Sequence, residues 1–160
     1  MLLDWGDTLM VDSDGCSGPM VGWEYVEAIP HARDTLRELR SRGWRLALAT
    51  NAGDSHERNI RTALARVEMD ELLDRVYCSS AVGYTKPAPE YFDFIKNDLG
   101  VEASELVMVG DHLGADVIGA NRAGLRAVWL SRDGRTAPPD DMRRTICDLA
   151  QLPGLLDSWV

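Results

Sequence analysis

Cysteine is scarce in this chain: Cys16, Cys78 and Cys147 are the only three in 160 residues. None forms a CxxC pair, which argues against a zinc cluster. An odd, sparse set suits a reducing compartment where thiols stay free. Long apolar runs are missing as well, and none approaches the length of a membrane span. Met1-Leu2-Leu3 runs straight into Asp4, so no secretory apolar core precedes it. The expectation is a soluble cytoplasmic protein with no membrane partner. Positive charge is in deficit, with a formal net charge of -9. That disfavours nucleic acid or an anionic membrane surface as a partner. It leaves a small anionic substrate open, because a local cation can reverse the field inside one site.

There is no internal repeat and no low-complexity segment. What recurs is an alternation of short apolar runs with helical patterns, the rhythm of a parallel α/β sheet covered by helices on both faces. Strands are expected at Leu2-Leu3, at 45–50, at 75–78, at 106–109 and at 126–130, five in all. Helices are expected at about 31–42, after Ser55 as a capping residue, after Pro87 and Pro89, from Gly114 to Ala123, and from about Met142 to Gln151. The length fits one domain spanning 1–160. Only Val11 to Ile29 breaks the rhythm. It holds three glycines, Pro19, Trp23 and Tyr25, and is too short for a domain of its own. It reads as a flap lying over the end of the first strand. Its Asp12-Ser13-Asp14-Gly15 stretch reads as a turn, since it lacks the remaining ligands of a calcium loop.

In open parallel sheets, ligands bind beyond the carboxyl ends of the strands. Asp4-Trp5-Gly6-Asp7-Thr8 follows the first strand, and Thr50 and Asn51 end the second. Lys86 precedes the helix after the third, while Gly110-Asp111 follows the fourth, with Asp116 five residues on. Three carboxylates facing one point, Asp4, Asp111 and Asp116, repel one another unless a cation neutralises them. A hard divalent cation such as Mg2+ prefers oxygen ligands and keeps room for a phosphate. The Thr50 hydroxyl and the Lys86 ammonium could hold the remaining phosphate oxygens, and Lys86 would also balance the carboxylate excess. Asp4 suits a nucleophile that must be ionised at neutral pH. Taken singly, each residue has an ordinary structural reading: Asp4 or Asp111 a loop acid, Thr50 a strand end, Lys86 a solvated lysine, Asp116 a first-turn acid. Asn51 either helps to hold phosphate or caps a turn. His112 reads as solvent-facing.

Together these residues resemble the four motifs of the haloacid dehalogenase superfamily. Asp4 with Thr8 is similar to the first motif. Leu46 to Thr50 resembles the second, Lys86 in Gly83-Tyr84-Thr85-Lys86-Pro87 the third, and Val109-Gly110-Asp111 through Asp116 the fourth. The resemblance runs from Leu2 to about Leu130. It implies a Rossmann-like three-layer sandwich with five parallel strands, the first and fourth adjacent at its centre. It implies a Mg2+-dependent phosphatase with Asp4 as nucleophile and metal ligand. The Gly6 carbonyl, Asp111 and Asp116 would complete the metal shell, and Thr50 and Lys86 would bind the transferring phosphoryl group.

Two departures stand out. Family phosphatases carry a second aspartate, the acid/base, two residues after the nucleophile, and here that position is Gly6. Either Asp7 swings into its place, or the post is vacant and the chain is a weak enzyme, a phosphate- or partner-binding protein, or a phosphotransferase. The second departure is size: residues 11–29 are a flap rather than a cap. An open site of this kind admits bulky phosphoesters or borrows closure from a second subunit in a homodimer.

Overall fold

The computed structural model describes residues 1–13 and 15–160, so Asp14 of the expected turn lies outside the described residues. Six strands form one parallel sheet in the order β3-β2-β1-β4-β5-β6. They are β1 (Leu2–Leu3), β2 (Ala47–Thr50), β3 (Arg75–Cys78), β4 (Val107–Gly110), β5 (Arg126–Leu130) and β6 (Arg143–Ile146). The apolar runs of β1, β2 and β4 are buried throughout, as strands covered on both faces must be. One face packs against α1 (Ala32–Ser41), α2 (Glu57–Ala65) and α6 (Leu152–Trp159), where Leu36, Leu39, Ile60, Leu64 and Leu156 join the core. The other face packs against α4 (Pro89–Leu99) and α5 (Gly119–Arg122), through Phe92, Ile95 and Ala120. Among the described residues, no helix is long and apolar enough to cross a membrane.

The chain reverses direction across the sheet at β1, which lies between β2 and β4. Leu2 is in register with Ala47 on one side and Met108 on the other. The Asp4 N–H continues the ladder to the Val109 carbonyl at 2.9 Å. Asp4 and Asp111 therefore leave neighbouring strands at the same level, which is where an open α/β sheet forms its ligand crevice.

Four sequence-based expectations need correction. The sheet has six strands rather than five, because Arg143–Ile146 is a strand and not the start of a helix. Met142, Ile146 and Leu149 have helical spacing, but the open edge of β5 offers unpaired backbone groups. Ala127 N–H donates to the Met142 carbonyl and Ser131 N–H to that of Ile146. Asp148 then caps a short turn before α6. The helix expected from Gly114 is a π-helical turn at Leu113–Ile118 followed by α5; such turns cluster at functional sites. Ser55 does not cap α2, which starts at Glu57 after His56; its hydroxyl donates to Asp54 instead. Pro87 lies outside α4, and Pro89 alone opens it.

Residues 11–29 fold back as a hairpin-like flap. Val11 N–H donates to the Glu27 carbonyl and Ile29 N–H to that of Leu9. Arg66, just past the end of α2, donates to the carbonyls of Trp23 and Glu24, both at 2.7 Å, and Met20 is buried in the core. The flap is thus pinned at its base and at its far side.

Gly119 lets α5 approach the Lys86 loop closely. A Cβ there would stand 2.7 Å from Pro87 Cβ and 2.9 Å from Pro87 Cα. Gly119→Ala should lower unfolding free energy by about 1–3 kcal/mol through overpacking. Gly114→Ala meets only the His112 ring, at 3.4 Å, and should change it by less than about 1 kcal/mol. Urea denaturation of the two variants checks both.

Candidate active site

The crevice at the carboxyl ends of β1, β2 and β4 gathers Asp4, Thr50, Lys86, Asp111 and Asp116, and the flap closes one side with Asp12 and Trp23. At its floor lies the Lys86 ammonium, with a side chain only 1% exposed. It donates to Asp4 Oδ1 at 2.7 Å, to the Ala49 carbonyl at 2.6 Å and to Asp116 Oδ1 at 2.7 Å. An ammonium has three N–H bonds, so all are used. Burial by itself would drive the proton off Lys86, but the charges of Asp4 and Asp116 outweigh it and hold the proton more tightly than in a free lysine.

Asn51 secures Lys86 from behind. Its Nδ2 donates to the Lys86 carbonyl at 2.8 Å, and its Oδ1 accepts the Lys86 N–H at 2.7 Å. Its side chain thus serves the backbone of Lys86, a role that neither sequence reading gave it. Thr50 is buried, and its Oγ1 accepts the Ala52 N–H at 3.2 Å.

Thr8 ties the first motif to the fourth. Its buried hydroxyl lies 3.4 Å from both Asp4 Oδ2 and Asp111 Oδ1, and it accepts the Asp111 N–H at 3.1 Å. The Trp129 indole N–H donates to the Asp111 carbonyl at 2.8 Å. Asp116 is buried; its Oδ2 accepts the His112 N–H at 3.0 Å. His112 is exposed, as expected, and its ring nitrogen caps the following turn through Ala115 N–H. Gly110 is obligatory beside this carboxylate, since a Cβ there would meet Asp116 Oδ2 at 2.2 Å. Asp7 adopts a left-handed conformation, with φ 53°. Its Oδ1 accepts both the Asp12 N–H at 3.2 Å and the Arg132 guanidinium at 3.1 Å.

Ligand atoms of Asp4, Asp111 and Asp116 all lie within 4.8 Å of one another. Partial burial, together with the charges of Asp4, Asp116 and Asp7, pushes the Asp111 carboxyl up to about 6. Burial and Asp4 raise Asp116 likewise, against the pull of Lys86. One ammonium therefore does not balance the cluster. The donors are all oxygen, which is the set a hard divalent cation selects.

Residues 16–124 match the profile of haloacid dehalogenase-like hydrolases. The chain belongs to that family. Among haloacid dehalogenase-like relatives, it is 30% identical over 135 residues to a glyceraldehyde 3-phosphate phosphatase of Pyrococcus furiosus, covering 83% of this chain and 55% of that one. It is 38% identical over 111 residues to a phosphoserine phosphatase of Thermus thermophilus, covering 69% and 43%. The chain thus spans about half the length of these curated relatives. An uncharacterized protein from Listeria monocytogenes serotype 4b matches it nearly end to end, over 99% of this chain and 96% of that one, with a TM-score of 0.88 and 27% identity. The chain is thus an α/β member of this hydrolase family, and these two curated relatives are named as phosphatases. Asp4, Gly6, Asp7, Thr50, Asn51, Lys86, Asp111 and Asp116, the candidate site residues of the sequence, all line the crevice. Sequence reading gave no role to Thr8 beyond its place in the motif, and none to the Ala49 carbonyl or Asp12. The strand register brings in Thr8 and the Ala49 carbonyl, and the flap brings in Asp12.

Three outcomes follow from the electrostatics. Between 3.8 and about 6 the folded chain keeps a proton on Asp111 that the unfolded chain has released. Stability without a divalent cation should therefore fall as pH rises through that window. At pH 7, Asp111→Asn should raise metal-free stability by on the order of 1 kcal/mol and reduce the thermal shift on adding Mg2+. Lys86→Met should do the opposite, costing about 3–5 kcal/mol by leaving buried carboxylates unpaired. Calorimetry with chelator and with Mg2+ measures all three.

Proposed function

We propose that this chain is a Mg2+-dependent phosphomonoester hydrolase that works through a phosphoaspartate at Asp4. The observation that carries the reading is the convergence of Asp4, Asp111 and Asp116 around one saturated, buried ammonium. Asp4, Asp111, Asp116 and the Gly6 carbonyl would hold the ion. When bound, Mg2+ would offset the crowded carboxylates and the charge on the phosphoryl oxygens.

The chain's own groups divide the remaining work. Lys86 and Thr8 hold the Asp4 carboxylate from two sides, so the nucleophile meets phosphorus in a set orientation. The Thr50 hydroxyl, the Asn51 backbone N–H and the charge of Lys86 would receive the phosphoryl oxygens beside it. Asp4 attacks phosphorus, the bond to the leaving oxygen breaks, and water then releases phosphate from Asp4. The site opens between flap and sheet within a single unit of residues 1–160, so the leaving group can extend outward. Relatives named for phosphoserine and glyceraldehyde 3-phosphate support phosphomonoesters as the class. The free, exposed thiols of Cys16 and Cys147 suit a cytoplasmic setting.

Asp4→Asn should lower Mg2+-dependent release of phosphate from an aryl phosphate by at least about 10³-fold, while the folded protein keeps its circular dichroism spectrum. Full activity in Asp4→Asn would refute the mechanism.

A further inference from the structure

The side chain missing at residue 6 has a stand-in. A Cβ built on Gly6 would lie 3.3 Å from Asp12 Oδ2, 3.5 Å from Asp12 Cβ and 3.7 Å from Asp12 Cγ. The Asp12 carboxylate therefore stands beside the place where a side chain borne two residues after Asp4 would begin. It faces the same crevice as Asp4 and Lys86. Asp7, the nearer candidate in sequence, is engaged otherwise. Its backbone is left-handed and its Oδ1 is shared by Arg132 and the Asp12 backbone N–H. The turn between them closes on itself through Asp7 N–H to the Met10 carbonyl at 2.7 Å. Asp7 thus fixes where Asp12 begins, and Arg132 fixes Asp7. The absence of a side chain at Gly6 makes the room that Asp12 occupies.

We infer that Asp12 is the general acid and base of the reaction, supplied from the flap, and that Asp7 is its positioning residue. This rests on the phosphohydrolase reading above. In the first step Asp4 forms its bond to phosphorus and the bond to the ester oxygen breaks. The electron pair stays on that oxygen, and Asp12 gives it a proton to release the alcohol. In the second step the Asp12 carboxylate takes a proton from water as the water oxygen bonds to phosphorus. The bond from phosphorus to Asp4 breaks, its electron pair returns to the Asp4 carboxylate, and phosphate leaves. The acid is then protonated again for the next turnover.

The test compares phenyl phosphate, whose leaving group needs a proton, with 2,4-dinitrophenyl phosphate, whose leaving group does not. Wild type, Asp12→Asn, Asp7→Asn and the exchange variant Gly6→Asp/Asp12→Ala are assayed with Mg2+. Asp12 is exposed, so its substitution leaves the core intact. Asp12→Asn should lose about 10²–10⁴-fold in kcat/KM on phenyl phosphate, and much less on the dinitrophenyl ester. On that ester it should show a burst of dinitrophenolate as phospho-Asp4 accumulates. Asp7→Asn should lose less and keep the wild-type dependence on the leaving group. The exchange variant should recover part of the phenyl phosphate activity. Equal losses on both esters in Asp12→Asn, no loss at all, or leaving-group sensitivity appearing in Asp7→Asn instead would overturn the assignment alone. A wild type that releases no phosphate from either ester with Mg2+ would overturn the phosphohydrolase reading, and the assignment with it.

Discussion

The buried ammonium of Lys86 ties together three segments that neighbouring strands bring to one level of the sheet. One hydrogen bond goes to the loop after β1, one to the end of β2 and one to the turn after β4. A lysine with its side chain 1% exposed is tolerable only because each N–H has a strong acceptor and two of those acceptors are charged. The same bonds aim the Asp4 carboxylate and keep Asp116 beneath it. Asn51 holds the Lys86 backbone on both sides, so the charge cannot drift. Gly119 lets α5 press against the Pro87 side of the same loop.

That arrangement stays electrostatically unfinished. Three carboxylates crowd together and the one ammonium bonds only two of them, Asp4 and Asp116; the imbalance appears in the upward shifts of Asp111 and Asp116. On the proposed reading, that excess of negative charge is what draws in a divalent cation ahead of the phosphate. Its cost is borne by the surrounding sheet, where β1, β2 and β4 are buried on both faces. This is the usual trade between local function and global stability.

The flap gives this short chain a wall where larger phosphatases of the family would set a cap. It is held by backbone pairing at its base and by Arg66 at the end of α2. A wall fixed to the body can carry a reacting group as reliably as a strand end can, and Asp12 sits where such a group is needed. The small chain thus combines an open approach for substrate with a fixed place for the leaving group.

Much of this was legible in the residues themselves. The bounds of β3 and β5 follow from apolar runs between turn signals, and Asp4, Thr50, Lys86, Asp111 and Asp116 follow from what stands just past each strand. Those are local signals: a strand's end and the residue after it are written side by side. Other features depend on what lies across space. The segment 143–146 is a strand because the edge of β5 has backbone groups to satisfy, although its own spacing reads as helix. The Asn51 amide serves Lys86 because β2 and the loop before α4 come within hydrogen-bonding distance. Asp12 reads as one more turn residue until the flap closes and sets its carboxylate against Gly6. The sequence by itself determined five of the six strands and the polar groups that stand at their ends. Only the tertiary structure decided which of those groups are paired and which stand open to a ligand, because pairing depends on distances that no spacing along the chain encodes.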